Sequence, residues 1–409
     1  MTQMDVVVVG AGVAGLAAAE YAVASGLRVE VLEAADRVGG RVATVTHAGR
    51  AAELGAQVVH GSDNPFLSWA GAAPTVRLVD GAQIAAGWLD GETLQPLDCE
   101  GDPTGPLRAE RLIAGVYRSL GAFMAERLAV TGAVRIAGAS VATGDLLRGW
   151  TEQIAGIDPG AETLARYLTD AALRPPPGEK HLLPGGMTTP LEKVAAQLPV
   201  TLRTTVRHIS IDGAGVVVRS ETGQIRARHV ILTAPPSVAH AIDLPDMPAA
   251  QRDAGDQMRA IPAAVAILPL GEAAAGDSFA YVPGVGFLTA NDGQEHATLV
   301  AKGAPAYRLR GWTRDRAAWA KTVTALGVQP DNRREVIVRE WHDDPLAGGG
   351  FTAPVDPAGD AARQWRTPVG GRLHMAGEAA WADEGHPYVD RAWHSGRRAV
   401  DAILEELSR

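Results

Sequence analysis

Cysteine is almost absent. Cys99 is the only one in 409 residues, so the chain can close no disulfide on itself and build no thiolate metal cluster. A reducing cytoplasm is the simplest home for such a sequence. Lysine is scarce as well: Lys180, Lys193, Lys302 and Lys321 are the only ones. The net charge is -9 and no block of like charges occurs. These features exclude the clustered basic surface that nucleic acid requires. No apolar run approaches the ~18 residues of a membrane span, and the first residues enter a strand without a charged leader and cleavage site. Neither an anchor nor a leader is expected. The 11 histidines show no HExxH spacing and no serine sits in a GxSxG elbow, so no metal and no nucleophilic triad are expected. Aromatic residues make up 5%, so any place that gathers them is informative. No internal repeat or low-complexity tract is present.

Glycine, by contrast, is plentiful and patterned. "VVVVGAGVAGLAAAEYA" (6–22) reads as a strand, a tight turn and a helix start. Gly10 permits the turn, Gly12 lets backbone approach a pyrophosphate, and Gly15 lets helix and strand pack closely. Val13 and Ala14 fall in the first helical turn, whose free N–H groups favour phosphate. Glu33 lies 18 residues after Gly15, at the end of a second strand. A carboxylate there can accept both ribose hydroxyls. The pattern indicates a dinucleotide site, with a turn used only for packing as the alternative. Nicotinamide and flavin enzymes share it, so the turn leaves that choice open.

Further along, residues 107–174 carry apolar residues near a 3.6 spacing and read as helical. "RPPPGEK" (174–180) cannot continue a helix and marks a domain crossing. "GGMTTPLEKVAAQL" starts another helix. "VVVRS" and "HVILTAPP" read as strands near a hairpin, and "GGRLHMAGEAAW" as a last strand and glycine turn before a final helix from about residue 391.

A second glycine loop, "DRVGGRV", follows Glu33 and carries Arg37, Gly40 and Arg41. Together, "GAGVAGL…VLEAADRVGGRV", "AAELGAQVVHGSDNPF" and the late "HMAGEAAWADEGHPYVDRAWHSGRRAV" resemble the flavin-containing amine oxidase family of monoamine, polyamine and L-amino-acid oxidases. The resemblance covers most of the chain. It implies an α/β fold: a discontinuous FAD-binding Rossmann-like domain (1–75, 178–240 and 360–409) with an α+β substrate-binding domain (76–177 and 241–359).

The resemblance also implies roles for individual residues. Arg41 would contact the FAD phosphates, the other reading being a surface salt bridge. Gly377 and Glu378 would meet the ribityl–pyrophosphate region. Gly55, Ala56 and Gln57 would run under the isoalloxazine, and Val206 would offer backbone to the adenine. Tyr388 and Val389 would stand at the flavin where the final helix begins. "WHDDPLAGGGF" carries Trp341 and Phe351; Phe351 and Tyr388 would form two aromatic walls around an amine, or else be ordinary core rings. His60 matches a histidine on the substrate side of some polyamine oxidases and would handle protons or hydrogen-bond substrate, or else be held by backbone. Gly350 stands where some relatives carry a flavin-linked cysteine, so the FAD would be non-covalent. A lysine that many relatives place near the flavin is missing. Ala266 is the matching position, with Lys302 as a substitute from a neighbouring strand. One extra residue stands between Glu378 and Tyr388.

The implied activity is oxidation of a C–N bond in an amine or amino-acid-like small molecule, with molecular oxygen as acceptor and hydrogen peroxide as by-product. Two alternatives stay open: a desaturase or dehydrogenase acting on C–C bonds, as in phytoene desaturases and protoporphyrinogen oxidases, and a flavin-binding protein with little catalysis. The substrate and the oligomeric state are not legible.

Overall fold

The computed structural model describes residues 4–71, 76–78, 85–97, 105–170, 173, 179–213, 215–354, 360–381 and 388–408. Cys99, the prolines of "RPPPGEK" and the extra residue before Tyr388 lie outside them.

The first strand, β1 (Met4–Val9), ends at the glycine turn, and α1 (Val13–Ala24) follows. β2 (Val29–Leu32) returns parallel to β1, with Val6 opposite Val29 and Val9 opposite Leu32. The other side of β1 pairs in parallel with strand Gly223–Leu232, which forms a hairpin with Gly215–Ser220 and also pairs with Leu373–Met375. Alternate residues serve opposite cores, as the two-residue period of a strand requires. Val6, Val8 and Val31 pack against α1 and helix Val389–Leu407. Val7, Val9 and Leu32 pack with Leu244, Met247, Ala254 and Trp365. Residues 244–258 therefore share this core. α1 is rich in alanine and buried on nearly every side, so helix Val389–Leu407 lies close against it. A Cβ at Gly396 would overlap the Ala14 carbonyl.

A second sheet runs in the order Ile337–Glu340, Ala263–Pro269, His296–Lys302, Gly286–Ala290, Ser278–Val282, Ala85–Asp90, Thr93–Pro96. One face packs Ala264, Ala266 and Leu268 with Leu299 and Trp319. The other sets Val265 and Ile267 against Ala52 and Leu54. That second contact is a seam between this sheet and the antiparallel pair Thr44–His47 and Arg50–Glu53. Helices Pro106–Leu120, Val130–Ile136, Val141–Ala155 and Leu164–Thr169 form a further cluster around Ile113, Leu147 and Tyr167. Helix Val141–Ala155 reaches the second sheet through Gln153, whose amide donates to the Lys302 carbonyl and accepts from its N–H.

Two histidines in these cores make the fold sensitive to acid. His374 and His296 are 3% and 6% exposed. Burial, reinforced by His229 and His47 respectively, pushes each imidazole down to about 4. An unfolded chain takes up a proton at each site below about pH 6.5, whereas the native one does not until about pH 4. Their contribution is therefore complete above pH 6.5 and is lost as the pH falls from there towards 4. The loss is on the order of 3 kcal/mol per site. Urea unfolding between pH 7 and 4.5 should show falling stability, and His374→Gln should flatten that slope.

Candidate active site

Backbone contacts that leave no room for side chains build the glycine turn. Gly10 has φ +105°, a conformation that favours glycine, and a Cβ there would overlap Thr233 Oγ1. A Cβ at Gly15 would overlap the carbonyl of Gly10 itself. Gly12 forms a parallel bridge with Gly39 of the second glycine loop. The Gly39 N–H donates to the Ala11 carbonyl at 2.8 Å, so the two loops form one unit. At the start of α1, Val13 and Ala14 follow an N-cap glycine that brings no capping side chain, and the first turn holds no acid. The positive end of the helix is left for an outside anion, the arrangement of a phosphate cradle.

Three charged residues frame this cradle. Glu33 Oε2 accepts the Ala11 N–H at 2.6 Å, and Oε1 accepts the Ala35 N–H at 2.8 Å. The carboxylate is fixed beside the turn with lone pairs to spare. Arg37 braces its own loop, with Nη1 donating to the Val38 and Val42 carbonyls and Nη2 to that of Gly40. Arg41 Nη1 donates to Glu378 Oε1 at 2.6 Å, and the two side chains are 22% and 7% exposed. Glu378 is buried and Arg41 half-buried. The same Glu378 oxygen accepts the Thr352 N–H at 3.0 Å. Glu378 Oε2 is buried with no partner among the described residues. Gly377, with φ +113°, donates its N–H to Ser395 Oγ at 2.8 Å. Val206 lies two residues beyond Thr204, whose N–H donates to the Glu33 carbonyl at 2.8 Å.

The segment below runs from Glu53 to Gln57. The Ala56 N–H donates to the Arg41 carbonyl at 3.1 Å, and a Cβ at Gly55 would overlap that same carbonyl. The close approach of the Arg41 loop alone therefore accounts for glycine at 55. Gln57 Nε2 donates to the carbonyls of Glu53 and Gly55 at 3.1 and 2.7 Å. Glu53, which the sequence did not single out, accepts from the Met187 N–H and Thr44 Oγ1 at 2.8 and 2.9 Å. Burial pushes its carboxyl up to about 7. A lone acid in the apolar stretch "AAELGA" is the signal that could have found it.

The aromatic residues take different positions. Tyr388, at the N-cap of helix Val389–Leu407, stacks on His60 with ring centroids 4.0 Å apart and planes 12° from parallel. Burial raises the Tyr388 phenol above its ordinary pKa, helped by Asp390. Phe351 opens strand Phe351–Pro354, paired with Met258–Ile261, and Lys302 Nζ lies 5.3 Å from its ring centroid. Trp341 is buried and is not a wall of this pair. Its Nε1 donates to the Leu54 carbonyl at 2.6 Å, bracing the segment that leads to Gly55. Gly350 sits against Ala263, where a Cβ would overlap the Ala263 methyl.

Ala266 is the clearest correction. Its methyl packs with Leu299 and Trp319 on the far face of the sheet. A side chain from this strand reaches residues 52–54 at Val265 or Ile267, and neither is lysine.

A model of the flavin-containing amine oxidoreductases matches residues 149–404. The chain belongs to this family. A model of NAD(P)-binding Rossmann-like domains matches residues 8–69, over the glycine turn and the second loop. A protein named "Putative flavin-containing monoamine oxidase AofH", from Mycobacterium tuberculosis, is 30% identical over 446 residues, covering 99% of this chain and 97% of its own. A cyclohexylamine oxidase from Brevibacterium oxydans superposes with a TM-score of 0.78 at 22% identity, over 100% of both chains. A putrescine oxidase bound to putrescine does so with a TM-score of 0.77 at 19% identity, also over 100% of both. At those identities the two structures speak for the shared fold.

Family membership makes the protein an oxidoreductase with a flavin cofactor, and the residues present fit that group. The uncapped helix start suits its phosphates, and Glu33 suits ribose hydroxyls. The orphaned Oε2 of Glu378 is a buried acceptor that lacks a donor. No helix among the described residues is long and apolar enough to cross a membrane.

Proposed function

We propose that the protein binds FAD non-covalently and oxidises the C–N bond of an amine or amino-acid-like small molecule to an imine, with molecular oxygen as acceptor and hydrogen peroxide as by-product. One observation carries this reading. Glu378 Oε1 accepts from both Arg41 and the N–H of Thr352, so the nucleotide end and the residue beside Phe351 meet on a single carboxylate oxygen.

A bound flavin would supply the redox chemistry, oxidation at the carbon next to nitrogen. The chain supplies the rest. The start of α1 and Arg41 would hold phosphates, Glu33 would hold the ribose, and Gly55–Gln57 would offer backbone to the ring system. Tyr388 and Phe351 present π-faces to the amine. The stacked His60 fixes the plane of Tyr388, and Trp341 fixes the height of the Gly55 segment. Gly350 offers no sulfur, which supports a cofactor held without a covalent bond. A second reading, in which electrons pass to an acceptor other than oxygen, rests on strand Ala263–Pro269, whose seam face carries Val265 and Ile267 and no lysine.

Purified protein should be yellow and should release FAD on heating. Titrated anaerobically with a panel of amines and amino acids, its flavin absorbance should bleach with one class. Readmitted air should restore it and yield hydrogen peroxide. Bleaching without reoxidation would favour the second reading. A yellow protein that no amine bleaches would sink amine oxidation and favour C–C chemistry or a flavin with little catalysis.

A further inference from the structure

Lys302 is the lysine beside Phe351. It ends strand His296–Lys302 and pairs with Ala263, whose carbonyl in turn accepts the Trp341 N–H at 2.9 Å. Lys302 projects from the seam face of the sheet, the same face as Val300. Gln153 grips its backbone from both sides, so the base of the side chain is fixed. Nζ donates to the Ile154 carbonyl at 3.0 Å and lies 5.3 Å from the Phe351 centroid. The residue is half-buried, and burial dominates the surroundings of its ammonium.

An ammonium has three donors. Among the described residues, the Ile154 carbonyl is the one acceptor for this one. No carboxylate of the described residues forms an ion pair with it. Burial pushes its pKa down, to about 8, and no anion of the described residues holds it up. A buried charge without a partner is costly, and the cost is removed when an anion enters with the ligand.

We infer that Lys302 is a specificity residue that anchors a carboxylate on the substrate, so the protein takes amines bearing an acid group in preference to simple amines and diamines. The inference rests on the amine-oxidation reading above. The nearby surface suits an apolar remainder. Val300, on the same face, pairs with Phe287, which packs with Phe279, Tyr281 and Trp150.

The test uses matched pairs that differ by the carboxylate alone: L-phenylalanine with phenethylamine, and L-leucine with 3-methylbutylamine. In the holoenzyme, kcat/KM for anaerobic flavin reduction should favour the acid at least tenfold in one pair. Lys302→Met should lower that ratio at least tenfold. Preference for the amine in both pairs, or a ratio unchanged by K302M, would overturn the inference. Calorimetry on the unaltered protein gives a readout free of turnover and of the variant's folding. Phenylacetate should bind at least tenfold more tightly than phenylacetamide. Equal affinity, or no binding of phenylacetate, would also overturn it. If phenylacetate binds preferentially but neither member of any pair reduces the flavin, amine oxidation fails while the carboxylate anchor stands.

Discussion

Arg41→Met should destabilise the protein by about 3–5 kcal/mol, the usual loss when one partner of a buried ion pair is removed, and should release the flavin. The size follows from Glu378. Its side chain is 7% exposed, so little water reaches the carboxylate when the guanidinium is removed. Oε1 would keep the Thr352 N–H, and Oε2 would remain without a partner. An uncompensated carboxylate would then lie between the glycine loops and Phe351. Glu378→Gln should be milder, because the amide keeps an acceptor for Arg41 and Thr352 while removing the buried negative charge. The Arg41→Met, Glu378→Gln double variant should lose less than the two single losses added, as residues in one network do. Urea unfolding of all three, with flavin absorbance per mole of protein, reads the cycle. Strict additivity would show that the pair contributes no coupling.

Gly396→Ala should be nearly as damaging, although it adds one methyl group far from any substrate. The new Cβ would overlap the Ala14 carbonyl and lie 3.0 and 3.2 Å from the Ala14 carbon and the Ala18 nitrogen. All three obstacles are backbone, so no rotamer change relieves them. Overpacking of this kind costs roughly 1–3 kcal/mol, occasionally more. Relief requires α1 to move away from helix Val389–Leu407, and α1 carries the phosphate cradle at its start. Flavin retention should therefore fall alongside stability. Gly311→Ala is the matched control. Gly311 is exposed in helix Leu309–Arg314, with nothing within 4 Å of where a methyl would stand, and alanine there should be neutral or stabilising by up to ~1 kcal/mol. A Gly396→Ala protein that melts like Gly311→Ala would refute the packing argument.

Much of the nucleotide end was legible because each glycine has a local physical task. Gly10, Gly12 and Gly15 are spaced by the turn itself, and Glu33 is placed by the length of one helix and one strand. The Arg41–Glu378 pair was not legible as a pair, since 337 residues separate its members and nothing local links them. Ala266 was misplaced for a different reason. Strand Ala263–Pro269 is buried at every position, so it lacks the apolar–polar alternation that reveals which face is which. Only its register with Leu299 and Val300 fixes the parity. Lys302 stood out by rarity, but its placement beside Phe351 needed the sheet.

Strand β1 finds its second parallel neighbour in Gly223–Leu232, and α1 its most extensive helix contact in Val389–Leu407. During synthesis the first 30 residues would leave the ribosome long before either surface exists. Their apolar valines and alanines would wait through most of translation, a period in which unpaired strands are prone to stray association. Such long-range pairing is also slow to form once the chain is free. Assembly of the nucleotide cradle is thus among the last events in making this protein, and chaperone supply or translation speed would govern its yield more than the strength of any single contact.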